Sequence, residues 1–174
     1  MKRIFLLRHA KSSWDDPALS DFDRPLNRRG RTAAPLIGRH LADHGLAPSL
    51  ILCSAARRTR ETLALLLPDL SGETVIRIET GLYEAGAGQL LARIRQIPPE
   101  VPSVLLIGHN PGLEELASDL IADGPAEDIA RLAEKFPTAA LAAIHFDART
   151  WKDVGARSGT LERFVIPPRS DRGD

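Results

Sequence analysis

Short apolar runs recur along the chain at residues 4–7, 50–52, 75–78, 104–107 and 141–146. Uninterrupted runs of this length suit strands covered on both faces, as in a parallel sheet. Between most of them lie stretches with helical periodicity. Leu113, Leu116, Ala117, Leu120 and Ile121 repeat at i, i+3, i+4, i+7 and i+8, the pattern of one helix face. Leu36, Ile37 and Leu41 predict an earlier helix ending near Gly45, and Thr62, Leu63, Leu66 and Leu67 one that Pro68 stops. Leu90, Leu91 and Ile94 predict another, stopped by Pro98-Pro99. Strand–helix alternation over the chain predicts a single three-layer α/β/α sandwich with a mostly parallel sheet of five or six strands. There is no internal repeat and no linker. Residues 1–166 read as one domain, and the polar, proline-containing segment 167–174 as a mobile C-terminal tail.

Composition narrows the function classes. With 174 residues, 43% hydrophobic and 26% charged, the chain is an ordinary globular protein. Lys+Arg and Asp+Glu are both 23, so no global charge argues for nucleic acid or a membrane surface as partner. The lone Cys53 excludes an internal disulfide and a cysteine zinc cluster. Met1-Lys2-Arg3 precedes an apolar run too short for a signal-peptide core, and no stretch approaches the ~20 apolar residues of a membrane span. The expected compartment is the cytoplasm; oligomeric state is not legible.

In a parallel sheet the strand C-termini share one edge, where ligands bind. Arg8-His9-Ala10-Lys11 follows the first run, Cys53-Ser54-Ala55-Ala56-Arg57-Arg58 the second, and Gly108-His109-Asn110-Pro111-Gly112 the fourth. Glu79, Gly81, Tyr83 and Glu84 follow the third. Two histidines and at least two arginines therefore converge, with small residues that let backbone approach a ligand. Arginines match a phosphate in charge and geometry. A neutral histidine can attack phosphorus to give a phosphoramidate that water hydrolyses. A second histidine can stabilise the transition-state charge, and a carboxylic acid such as Glu84 can protonate the leaving group. Arginines and histidines take the place of a metal in this scheme, so no cofactor is expected.

These residues also carry a resemblance. Leu7-Arg8-His9-Ala10-Lys11, Cys53-Ser54-x-x-x-Arg58-x-x-x-Thr62 and Gly108-His109-Asn110 resemble the histidine phosphatase superfamily, the phosphoglycerate-mutase-like group. The opening Arg8-His9-Ala10-Lys11-Ser12-Ser13-Trp14 and the short chain look most like its SixA-type branch of phosphohistidine phosphatases. Asp23-Arg24-Pro25-Leu26-Asn27-x-x-Gly30 matches the segment leading into the family's first helix. The resemblance implies His9 as nucleophile and Arg8, Arg58 and His109 as the phosphate pocket. It implies a phosphorylated small molecule or a phosphoprotein as partner. Ala10 replaces the family's usual glycine, and Asp15 stands where many relatives have an asparagine ligand. Asp15 is then a contact for a cationic part of the substrate, and Trp14 a rim of the pocket.

Other readings of the same residues compete. Cys53 invites a cysteine phosphatase, but position 59 is threonine rather than the arginine that chemistry needs, which leaves a buried structural cysteine. Asp21-Phe22-Asp23 imitates the paired aspartates of haloacid-dehalogenase-type phosphatases but follows a polar stretch, so a solvated loop with a helix cap is expected. His40 and His44 lie at i, i+4 without a third ligand and read as a solvated helix face; His145 reads as structural and Arg57 as a surface ion-pairing group. Ser54 lacks a nucleophile elbow and is expected to cap the helix starting near Ala55. A small-molecule phosphomonoesterase or mutase of the same superfamily and a non-catalytic phosphate-binding module remain as alternatives to a phosphatase acting on phosphohistidine.

Overall fold

A computed structural model describes residues 1–168. Its strands are β1 (Lys2–Arg8), β2 (Leu50–Ser54), β3 (Val75–Glu79), β4 (Ser103–Gly108), β5 (Ile121–Asp123), β6 (Leu141–Phe146) and β7 (Gly159–Val165). Its helices are α1 (Arg28–Asp43), α2 (Arg57–Leu66), α3 (Ala87–Arg95), α4 (Gly112–Leu120) and α5 (Ala126–Glu134). The strands form one sheet in the order β3-β2-β4-β1-β6-β7-β5. All run in one direction except β6, which lies antiparallel between β1 and β7.

Two cores flank the sheet, because alternate side chains of each central strand point to opposite faces. Phe5, Leu7, Ile51, Cys53, Leu105 and Ile107 pack under Ala34, Ile37 and Leu41 of α1 and Leu63 and Leu66 of α2. Ile4, Leu6, Leu52, Val104 and Leu106 pack under Leu90 and Ile94 of α3, Leu113, Leu116 and Leu120 of α4 and Leu132 of α5. The three-layer sandwich is as expected.

Several elements differ from expectation. The sheet has seven strands rather than five or six. Ile121 does not extend the α4 face but opens β5, and the polar sequence of β7 hides a strand that buries Leu161 and Phe164. The apolar run of β3 lies at the sheet edge, leaving Val75 57%, Ile76 40% and Ile78 52% exposed. Of the expected tail, Pro167 and Pro168 line a surface cleft and the remainder lies outside the described residues. No helix of the described residues is long and apolar enough to cross a membrane.

Candidate active site

Register brings the strand ends level. Arg8 of β1 sits opposite Gly108 of β4, and Cys53 of β2 opposite Ile107, so His9, Ser54 and His109 emerge together from one edge. The His9 N–H donates to the Gly108 carbonyl at 3.1 Å, extending the β1–β4 ladder to the histidine itself. Thr62 of α2 accepts from the Ala10 N–H at 3.0 Å and donates to the Arg58 carbonyl at 2.7 Å, tying the His9 loop to the helix that carries Arg58.

His9 and His109 are nearly buried, with ring centroids 5.3 Å apart. His9 Nδ1 lies 2.7 Å from the Ala10 carbonyl. A carbonyl only accepts, so Nδ1 carries the proton and Nε2 keeps its lone pair. Burial, opposed by that Ala10 bond and reinforced by the nearby His109, Arg58 and Arg8, holds the His9 pKa down to about 3. His9 is therefore neutral near pH 7. His109 is lowered to about 4, by burial first and then by Arg58, with Asp21 opposing. Its Nδ1 faces Arg58 Nη2 at 3.4 Å and its Nε2 lies 2.8 Å from Ser54 Oγ. A guanidinium only donates, so Nε2 carries the proton and donates it to Ser54.

Ser54 is thus a support for His109. It does not cap α2, whose N-cap is Ala56 without a side-chain bond; Ser54 Oγ meets the Ala56 N–H only at 3.4 Å. Cys53 is buried, and burial pushes its thiol up to about 12, which fits the structural reading.

Arg8 donates from Nη1 to the Phe136 carbonyl at 3.1 Å, which also accepts from Asn110 Nδ2 at 2.8 Å. Arg58, nearly buried, is held by Asp21: Nη1 donates to its carbonyl at 2.7 Å and Nη2 to its Oδ2 at 3.1 Å. Tyr83 donates to the same Oδ2 at 2.5 Å, while Arg24 Nη2 reaches Oδ1 at 3.0 Å. Burial of Asp21 disfavours its charge, yet the bonds from Tyr83, Arg24 and Arg58 outweigh that and bring its carboxyl to about 2. Asp21 is exposed, as expected from sequence, but it also anchors Arg58, Arg24 and Tyr83, which the sequence reading did not foresee. Arg24 in turn binds Ser12 Oγ at 2.7 Å and lies under the Trp14 ring at 3.6 Å.

Arg8, His9, Arg58 and His109 form one cluster, as expected. Trp14 is 73% exposed and covers Arg24. Asp15 is exposed, its backbone N–H bonded to Ser13 Oγ at 3.1 Å. Glu84 is exposed, with φ 58°, one residue past Tyr83. Asp21 and Arg24 were not read as site residues, and Tyr83 was placed at this edge without a role. The available signal was electrostatic: two arginines beside two histidines need a nearby anion. Away from this edge, Arg57 pairs with Glu61 at 3.3 Å and His145 with Glu162 at 3.1 Å, while His40 and His44 stack at 4.1 Å. His40 is half-buried and its Nε2 faces Arg163 at 3.5 Å, so that pair is not simply a solvated face.

Buried, neutral histidines between fixed cations suit capture and transfer of a phosphoryl group, and the comparisons agree. An uncharacterized chloroplastic protein of Arabidopsis thaliana is 34% identical over 97% of this chain and 79% of its own. A structure from Agrobacterium tumefaciens, described as a phosphohistidine phosphatase SixA, superposes with TM-score 0.80 at 34% identity, covering 95% of this chain and 98% of that one. The protein histidine phosphatase SixA complexed with tungstate gives 0.74 at 25% identity, over 94% and 96%. A sequence profile of the histidine phosphatase superfamily (branch 1) matches residues 4–104. The chain belongs to the histidine phosphatase superfamily.

Proposed function

We propose that the protein is a phosphatase that works through a covalent phosphohistidine on His9, with phosphohistidine in a protein as its substrate. The observation that carries the reading is the state of His9: Nδ1 is fixed on the Ala10 carbonyl, the ring is neutral, and Nε2 is unprotonated beside Arg8, Arg58 and His109. Arg8 and Arg58 hold the phosphoryl oxygens. The dianion raises the pKa of His109, which takes a proton on Nδ1 and donates it to a phosphoryl oxygen. Nε2 of His9 attacks phosphorus in line, forming the P–N bond as the bond to the leaving group breaks. A leaving imidazole departs with its second nitrogen already protonated; an alkoxide needs a proton, for which Glu84 is the proposed donor. Water then attacks the phosphohistidine, the P–N bond breaks to return its electron pair to His9, and inorganic phosphate leaves. Trp14 and Asp15 are proposed contacts for the rest of the substrate. The SixA descriptions of the structural relatives support the phosphohistidine substrate.

The test is labelling with a radioactive phosphoryl donor in the presence of EDTA, with a phosphohistidine protein and an aryl phosphate as parallel substrates. An acid-labile adduct is expected in the unmutated protein and none in His9→Ala. An adduct persisting in His9→Ala removes His9 as nucleophile.

A further inference from the structure

A cleft of about 360 Å³ opens on the surface, lined by Arg8 but by neither His9 nor His109. Its charged lining is wholly basic: Arg8 from β1, Lys11 from the loop that follows, Arg29 from the first turn of α1, and Lys135 from the C-terminal cap of α5. Thr32 and Thr138 add hydroxyl groups, and no carboxylate lines the cleft among the described residues. None of these four cations forms an ion pair among the described residues, whereas Arg3, Arg24, Arg57, Arg58, Arg93 and Arg131 each do. The first turn of α1 has no acidic residue, so the positive end of a 16-residue helix adds to the same field. In a chain of zero formal net charge, four unpaired cations around one concavity form a local concentration of positive charge.

The position of Arg8 decides what the cleft serves. It is the residue before His9 and it also lines this cleft, so the concavity adjoins the phosphoryl site. The volume exceeds what a phosphate needs and admits a carboxylate or phosphate together with the chain that bears it. Lys11, Lys135 and Thr138 offer hydrogen-bond donors, while the Thr32 hydroxyl donates to the Arg28 carbonyl at 3.0 Å, and Arg29 offers the planar fork that fits both anions.

We propose that this cleft is a specificity subsite that binds a second anionic group, carboxylate or phosphate, on the same substrate molecule whose phosphoryl group reaches His9. The proposal rests on the phosphatase reading and adds to it a class of substrate: one with two anionic groups.

Steady-state kinetics test it with five substrates: a simple aryl phosphate, a phosphohistidine peptide made with acidic and with alanine flanks, and a small sugar bisphosphate beside its monophosphate. The peptide and bisphosphate arms distinguish a carboxylate from a phosphate as the natural second anion. Wild type is expected to prefer the doubly anionic member of at least one pair. In Arg29→Ala and Lys135→Ala, KM for that member should rise about five- to tenfold per lost cation, with kcat unchanged. Lys135→Glu should raise it further, and higher ionic strength should erase the preference. Aryl phosphate turnover should stay within about twofold in every variant, which also shows that the variants fold. Equal losses on all substrates, or no wild-type preference in either pair, would overturn the subsite. Absence of turnover of every one of these substrates by the wild type overturns the phosphatase reading and the subsite with it.

Discussion

At the scale of single residues, Asp21 holds the site together. Arg8, Arg58, His9 and His109 repel one another if charged, and both histidines respond by staying neutral. Asp21 supplies the compensating charge, engaging both terminal nitrogens of Arg58 and the hydroxyl of Tyr83. Burial first, then the bond to Asp21 and the charges of Asp21 and Glu84, push the Tyr83 phenol up to about 12, with Arg58 opposing. Asp21→Asn keeps the shape and removes the charge. Arg58 loses its ionic anchor, and kcat/KM for phosphate esters is expected to fall about tenfold, the value of one charge-assisted bond. Tyr83 is the chain's single tyrosine, so its titration is read directly as tyrosinate absorbance. In the variant it should move down from about 12 toward the ordinary ~10. An unchanged titration would show that Asp21 does not govern this group.

At the scale of elements, two glycines let the site-bearing loops touch. A Cβ on Gly30 of α1 would lie 2.2 Å from the Lys11 carbonyl, and one on Gly112 of α4 would lie 2.1 Å from the Ala85 carbonyl. Both obstructions are backbone, which cannot swing aside as a side chain does. Gly112→Ala is expected to push the turn bearing Tyr83 away from His109, whose rings now meet edge to face at 5.5 Å. Thermal denaturation should register a loss of about 1–3 kcal/mol, and activity should fall with it. An alanine variant as stable as the wild type would mean that this contact is slack. From sequence Gly112 suggests backbone approach to a ligand; in the fold it serves backbone against backbone, as Gly30 also does. The strands that carry His9, Ser54 and His109 were legible because central parallel strands are apolar throughout. β7 was not, since Thr160, Glu162 and Arg163 interrupt its apolar positions and a register shift breaks strict alternation against β6. β5 spans only three residues. The role of Asp21 was invisible for a different reason: only Arg24 is a local partner, while Arg58 and Tyr83 lie 37 and 62 residues away, and no local pattern encodes that pairing.

At the scale of the whole molecule, the site makes stability depend on pH. His9 and His109 titrate at about 3 and about 4 in the fold, against an ordinary 6.5 when unfolded. Above pH 6.5 both states are neutral at these positions and the histidines have no effect. As pH falls below 6.5 the unfolded chain takes up protons that the folded chain refuses, so the unfolded state gains. Each histidine lowers stability by about 1.4 kcal/mol per pH unit through that window, until it titrates in the fold as well. His40 acts in the same direction: burial, His44 and Arg163 lower its pKa, with Asp43 opposing. Asp21 enters only at lower pH, because its depressed carboxyl contributes stability that is lost between about 3.8 and about 2. Acid unfolding is therefore expected to begin in the histidine window, well above the carboxylate range. Denaturant titrations from pH 7 to pH 4 should show stability falling by up to about 2.7 kcal/mol per pH unit from His9 and His109 together. In a His9→Gln, His109→Gln variant most of that slope should disappear, whatever the variant's stability at pH 7. If the double variant keeps the wild-type slope, the two buried histidines are not held neutral by the fold, and the unprotonated Nε2 of His9 loses its physical basis.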